Sequence, residues 1–256
     1  GHLIPVEVSS RVVETNGQRF LQNIVRNIEL RKQMEAEKQE LIADLDDFAH
    51  TVAHDLKNPL STIVSYSIWL EDSWQDLREG DLRQGLFYIA QQSHKAIHIV
   101  DDLLLLASVR QQEKVPRKPL DMQILAIEAA LRLEQMIEQQ QAQIIYPKQW
   151  HIALGYGPWV TEIWLNYLSN AIKYGGEQPR IELGSDLVAE GRVRFWVRDY
   201  GAGIPADQHD QLFKQFSRLT DADIDGHGLG LSIVKRIAEK LDGDVSRSYQ
   251  LLIDKQ

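Results

Sequence analysis

The chain has 256 residues, 37 Asp and Glu against 28 Lys and Arg for a net charge of -9, and no cysteine. The acidic balance excludes the basic footprint of non-specific nucleic-acid binding. The lack of cysteine excludes disulfides, zinc-thiolate sites and thiol catalysis. No apolar run is long enough to span a bilayer, and the start lacks the basic-then-apolar pattern of a signal peptide. The expectation is a cytoplasmic chain, or the cytoplasmic piece of a longer one, without membrane contact of its own.

Residues 3–8 and 19–28 carry β-like apolar runs (Leu3, Ile4, Val6, Val8; Phe20, Leu21, Ile24, Val25, Ile28) on either side of Asn16-Gly17, a hairpin signal. A lone hairpin is marginal in water, so it belongs to a larger sheet. From Leu30 the period changes: Leu30, Met34, Leu41, Leu45, Phe48 and Val52 form a heptad-like stripe that continues through Leu56, Ile63 and Leu70. The stretch 74–81, with Gly80 as its turn, separates it from a second helix near 82–110. Two long helices with narrow apolar stripes predict an antiparallel hairpin that pairs with a second copy as a dimeric four-helix bundle. Pro116 and Pro119 punctuate a polar linker. Beyond it the pattern predicts helices over 121–140, 158–174 and 229–241, with β segments within 143–153 and over 180–186 and 192–199. This is an α+β domain with helices on one face of a mixed sheet.

The most informative stretch is Phe48 to Leu60, in which His54 is followed by Asp55, Asn58 and Pro59. Pro59 cannot bond back to the carbonyl of Asp55, so the helix is expected to bend or loosen beside the histidine. Three further segments carry chemistry. Asn166, Asn170 and Lys173 share a helix face, where two amides and an ammonium suit hydrated Mg²⁺ and phosphate oxygens. Asp199-Tyr200-Gly201-Ala202-Gly203 follows a strand; its glycines admit a planar ligand and its carboxylate can accept an exocyclic amine. Gly226-His227-Gly228-Leu229-Gly230 opens a helix whose backbone N–H groups attract phosphate.

Taken in order, these segments resemble the H, N, G1, F and G2 boxes of the sensor histidine kinases of two-component systems. Residues 48–60, 166–174, 199–205, 212–218 and 226–232 match in turn, and residues 1–29 resemble the last hairpin of a PAS sensor domain. The resemblance implies a coiled-coil, dimerisation and histidine phosphotransfer region over 30–112, a linker over 113–120 and a Bergerat ATP-binding fold over 121–256, an α+β sandwich. It assigns Asp199 to the adenine amine, and Asn170 to Mg²⁺ with Asn166 beside it. Lys173 and Tyr174 neighbour the nucleotide, Arg218 reaches the γ-phosphate, and Gly201, Gly203, Gly226, Gly228, Leu229 and Gly230 shape the pocket and its lid.

It further implies that His54 is phosphorylated from Mg-ATP and that a response regulator receiver domain accepts the phosphoryl group. Asp55 and Asn58 match a pattern that also positions water to dephosphorylate that partner. In related ATPases a glutamate activates water at the Asn166 position; an amide does not act as a general base, which fits an enzyme that keeps its γ-phosphate for histidine. Three departures stand out. Asn27-Ile28-Glu29 replaces the usual Asp-Ile-Thr, His227 replaces a small hydroxyl residue, and the tail after Gly243 lacks the glycine-turn hairpin, predicting a short last strand.

Other readings are weaker. His50 lies one turn before His54 but lacks the following acid and proline. The His50/His54 pair has zinc spacing, yet Thr51 replaces the glutamate of a His-Glu-x-x-His hydrolase and no third ligand follows. Leu231 occupies the third-glycine place of a dinucleotide fingerprint, and no Gly-Lys dipeptide exists for a Walker A loop. The alternative from a different class is a signalling scaffold with a nucleotide-binding module that has lost catalysis.

Overall fold

The structure, a computed structural model, describes residues 4–15, 18–112, 114–188, 191–205, 229–246 and 250–254. Its chain forms two compact units, Gly1–His54 and Asp55–Gln256. Among the described residues no helix is long and apolar enough to cross a membrane.

In the first unit, strands β1 (Val6–Thr15) and β2 (Gln18–Asn27) pair antiparallel, with Val8 opposite Val25 and Val12 opposite Leu21. Val6, Val8, Val12, Leu21, Ile24 and Val25 remain exposed. The Asn16-Gly17 turn lies outside the described residues. Asn27 accepts the Glu29 N–H at 2.8 Å, satisfying one of the donors that a helix start leaves open. Helix α1 (Glu29–Asp72) begins there and runs without interruption through Pro59.

In the second unit, the later part of α1 packs against α2 (Glu79–Gln111) as an antiparallel hairpin. Tyr66 stacks on Tyr88 at 4.9 Å, and Gly85 leaves room for Leu70. Gly80 lies in the first turn of α2 and does not make the interhelical turn; Arg78 starts the helix, donating to Asp81. Leu60, Val64 and Ile68 on α1 and Ile97, Val100 and Leu104 on α2 leave apolar stripes exposed.

The ATP-domain region contains β3 (Lys118–Leu120), α3 (Met122–Arg132), α4 (Glu134–Gln140), β4 (Gln143–Ile145), β5 (Ala153–Gly155) and α5 (Gly157–Tyr174). It continues with β6 (Arg180–Leu187), β7 (Arg192–Arg198), α6 (Gly230–Lys240), β8 (Asp244–Ser246) and β9 (Gln250–Asp254). The helix expected over 121–140 is split at Leu133. The sheet has the order β4-β6-β7-β9-β8, with β4 and β6 parallel and the other pairs antiparallel; β3 pairs separately with β5. Period-two alternation buries Ile181, Leu183, Val193, Phe195, Val197, Leu251 and Ile253 on one face. Trp164 and Leu168 of α5 and Ile233 and Ile237 of α6 join them in a single core. Truncating one such leucine typically costs about 2–5 kcal/mol.

The tail corrects the sequence expectation. Despite lacking a glycine turn, it returns as the hairpin β8–β9, in which Val245 faces Leu251, and β9 adds to β7 over five residue pairs. Burial of Leu251 and Ile253 specifies that pairing, an effect of tertiary packing that local turn chemistry does not report.

Candidate active site

His54, Asp55 and Asn58 lie on α1, with His54 and Asn58 exposed and Asp55 half-buried. Pro59 is buried within the helix and cannot donate to the Asp55 carbonyl. The following turns are tied by hydroxyls: Thr62 Oγ1 donates to the Asn58 carbonyl at 3.1 Å, Ser65 to Ser61 at 2.9 Å and Ser67 to Ile63 at 2.8 Å. Such back-bonds weaken the regular ladder and bend helices. Pro59 and these hydroxyls are the groups that compete with the regular ladder here, and α1 remains helical through both. His50 is exposed one turn earlier on the same helix.

Helix α5 starts at Gly157-Pro158, with proline in its first turn where no N–H is needed. It buries Trp159, Val160, Ile163, Trp164, Tyr167, Leu168, Ala171 and Ile172. That stripe leaves Glu162, Asn166, Asn170 and Lys173 together on the less buried face, as their spacing predicts.

Two tight joints bring this helix to the other motifs. At its end, the backbone of Gly201 approaches the Tyr174 carbonyl so closely that a Cβ at 201 would lie 2.0 Å from that oxygen. The Gly201 N–H donates to Asp199 Oδ1 at 3.0 Å, which orients the carboxylate. Gly203 takes φ 73°, a left-handed conformation that glycine adopts without a Cβ penalty. Further back on α5, Asn166 donates through Nδ2 to the Glu162 carbonyl at 2.9 Å and turns Oδ1 against Gly230, where a Cβ would lie 2.1 Å away. Segments separated by 27 residues at one joint and 64 at the other thus converge on a single helix.

Gly230 is the first residue of α6, and no side chain caps that helix at Leu229. Leu229 itself is fully buried, so its side chain serves the core and leaves only its backbone to face a ligand. Arg218, Gly226, Gly228, His227 and the rest of the 212–218 segment lie outside the described residues.

The donor set fits Mg²⁺ held chiefly by substrate phosphates. Among the described residues no group of three or more His, Asp or Glu forms a metal cluster, whereas Mg²⁺ commonly takes one or two protein oxygens and completes its shell from phosphates and water. With the Asn166 oxygen directed at Gly230, Asn170 is the residue that would supply the protein oxygen.

The same face has an electrostatic neighbour that sequence reasoning missed. Asp102 of α2 has its carboxyl pushed up to about 6, first by burial and then by the negative charges of Glu162 and Asp101, with Lys173 opposing. Leu106 and Val109, farther along α2, enter the ATP-domain core. Glu162 could have been found from its four-residue spacing to Asn166, but nothing local links Asp102 to α5.

Residues 155–251 match the family of histidine kinase-, DNA gyrase B- and HSP90-like ATPases, and residues 44–112 match the His Kinase A (phospho-acceptor) domain. Cyanobacterial phytochrome A of Nostoc sp. (strain PCC 7120) is 29% identical over 253 residues, covering 94% of this chain and 32% of that protein. The methanogenesis regulatory histidine kinase FilI of Methanothrix harundinacea is 30% identical over 204 residues, covering 79% of this chain and 23% of that protein. The chain therefore spans a third or less of the length of these relatives. The solved structure of histidine kinase ThkA in complex with response regulator protein TrrA aligns with a TM-score of 0.67 over 97% of this chain and 79% of that one, at 16% identity, a likeness of fold.

Proposed function

We propose that this chain, which belongs to the sensor histidine kinases by its two matched domains, phosphorylates His54 from Mg-ATP and passes the phosphoryl group to an aspartate of a response regulator. The observation that carries the reading is the convergence of Asn166 with Gly230 and of Tyr174 with Gly201, which gathers the nucleotide-binding motifs on α5 in a chain that also carries His54-Asp55-Asn58-Pro59.

Each residue then has a defined task. Asp199, held by the Gly201 N–H, accepts the exocyclic amine of the adenine. Asn170 would supply an amide oxygen to Mg²⁺, which when bound would neutralise charge on the phosphates. Lys173 adds a positive charge beside them. Neutral His54 attacks the γ-phosphorus through one ring nitrogen; an N–P bond forms as the P–O bond to ADP breaks. Asp55 takes the proton from the other ring nitrogen and stabilises the imidazolium as it develops. Adjacent residues on a helix do not face each other, so the Asp55 carboxylate must bend round the helix to reach the ring. Asn58, one turn on, shares the His54 face and is placed to orient water on a phosphorylated regulator.

The exposed stripes of α1 and α2 support a homodimer formed through a four-helix bundle, and the β1–β2 hairpin is the end of a PAS-like sensor domain. Incubation with γ-labelled ATP and Mg²⁺ tests the central assignment: acid-labile, alkali-stable label on His54 supports it, and nucleotide binding with no label would favour the scaffold reading.

A further inference from the structure

The chain between α2 and the ATP domain is fastened at both ends. The last carbonyls of an α-helix have no partner within the helix. At the end of α2, Lys240 of α6 supplies one: its Nζ donates to the Gln112 carbonyl at 3.2 Å and to the Arg110 carbonyl at 3.5 Å. The end of α6 is treated in return. Arg117, just beyond α2, donates to the Lys240 carbonyl at 3.4 Å and pairs with the Asp242 carboxylate at 2.5 Å. The negative end of α2 therefore meets a cation from α6, and the negative end of α6 a cation from the linker. Asp242 sits at φ 54° just past the helix, where the Gly243 N–H bonds the Ala238 carbonyl at 2.8 Å. Glycine is the usual residue there; the aspartate accepts backbone strain and gains Arg117.

What this fastening holds in place is the contact of α2 with the ATP domain. Leu106 and Val109 are 4% and 1% exposed in the shared core. One turn before Leu106, Asp102 lies in the field of Glu162 and Lys173 on the α5 face. If Lys173 neighbours the nucleotide phosphates, as the function proposed above has it, the docked α2 draws on the same cation and brings negative charge toward the place where phosphates must sit.

We propose that Lys240 and the Arg117–Asp242 pair form a latch that holds the ATP domain on α2 in a pose of low nucleotide affinity, and that nucleotide binding and latch opening are thermodynamically coupled. Such coupling is reciprocal: a latch that weakens binding is itself loosened by the nucleotide, by the same factor. Lys240 and Arg117 are then positioning residues, acting through the placement of Asp102 and α2.

The test measures the affinity of the intact protein for Mg-AMP-PNP at pH 7.5, for the wild type, Lys240→Met, Arg117→Gln, Asp102→Asn and the Lys240→Met/Asp102→Asn double variant. Each single variant is expected to bind about 5-fold tighter or more. The double variant should gain little beyond Lys240→Met, because an unlatched α2 no longer presents Asp102 to the site. Lys240→Arg should retain wild-type affinity. Hydrogen exchange of amides 109–112 and 240–243 should quicken when Mg-AMP-PNP is added to the wild type. Unchanged or weaker affinity in folded Lys240→Met and Arg117→Gln, or additive gains in the double variant, would overturn the latch. A wild type that binds no nucleotide would instead overturn the function on which it rests.

Discussion

The side-chain oxygen of Asn166 lies directly against Gly230, so closely that a Cβ there would stand 2.1 Å away. One residue is in the middle of α5 and the other opens α6, and their contact fixes the helix start against the amide-bearing face. Gly230→Ala must displace Asn166 or shift α6. The expected cost is about 1–3 kcal/mol of stability, with nucleotide affinity lower by about 10-fold. Thermal unfolding and nucleotide titration of the same sample measure both; unchanged affinity would separate this joint from the ligand site.

Gly201→Ala meets a less forgiving neighbour. The added methyl would press on the Tyr174 carbonyl at 2.0 Å, a backbone atom that no rotamer change can move aside. A larger loss of stability than for Gly230→Ala is expected, and denaturant midpoints of the two variants compare them directly.

Asp55→Asn should leave nucleotide affinity intact while slowing His54 labelling by about 10²–10⁴-fold, the range for losing a proton acceptor that also stabilises the imidazolium. Asn170→Ala should show the complementary pattern. Its Mg-ATP labelling falls by about 10²–10³-fold, yet a His54 phosphorylated by other means still donates to a regulator. Single-turnover labelling and a separate transfer assay distinguish the two.

Asp102 gives the protein a pH signature. Its carboxyl is raised from the ordinary 3.8 to about 6, so the folded protein holds this proton more tightly than the unfolded chain. Between those values acid favours the fold. The contribution of this site is greatest near pH 4, declines as pH rises to about 6, and is flat above. The total change is on the order of 2 kcal/mol after allowance for partial exposure. Asp102→Asn should lack that slope in denaturant unfolding measured across the range; an identical slope would remove Asp102 as its source.

Legibility in the sequence followed the range of the forces involved. Helix faces were plain, because Asn166, Asn170 and Lys173 or Ile99 and Leu106 repeat at helical spacing. The alternation in β6 and β7 was equally readable. The convergence of Tyr174 with Gly201 and of Asn166 with Gly230 was legible only through resemblance, since each glycine alone reads as a turn. The β8–β9 hairpin was missed because Leu251 and Ile253 are fixed by the sheet they join and not by a local turn. The contacts of Lys240 with Arg110 and Gln112 span about 130 residues, and no pattern along the chain announces them.

The most direct measurement is labelling with γ-labelled ATP and Mg²⁺ of the wild type beside His54→Gln, followed by acid and alkali treatment. The proposed chemistry predicts label that is lost in acid, survives alkali and is absent from His54→Gln. Label that persists in His54→Gln would contradict His54 as the acceptor and direct attention to His50.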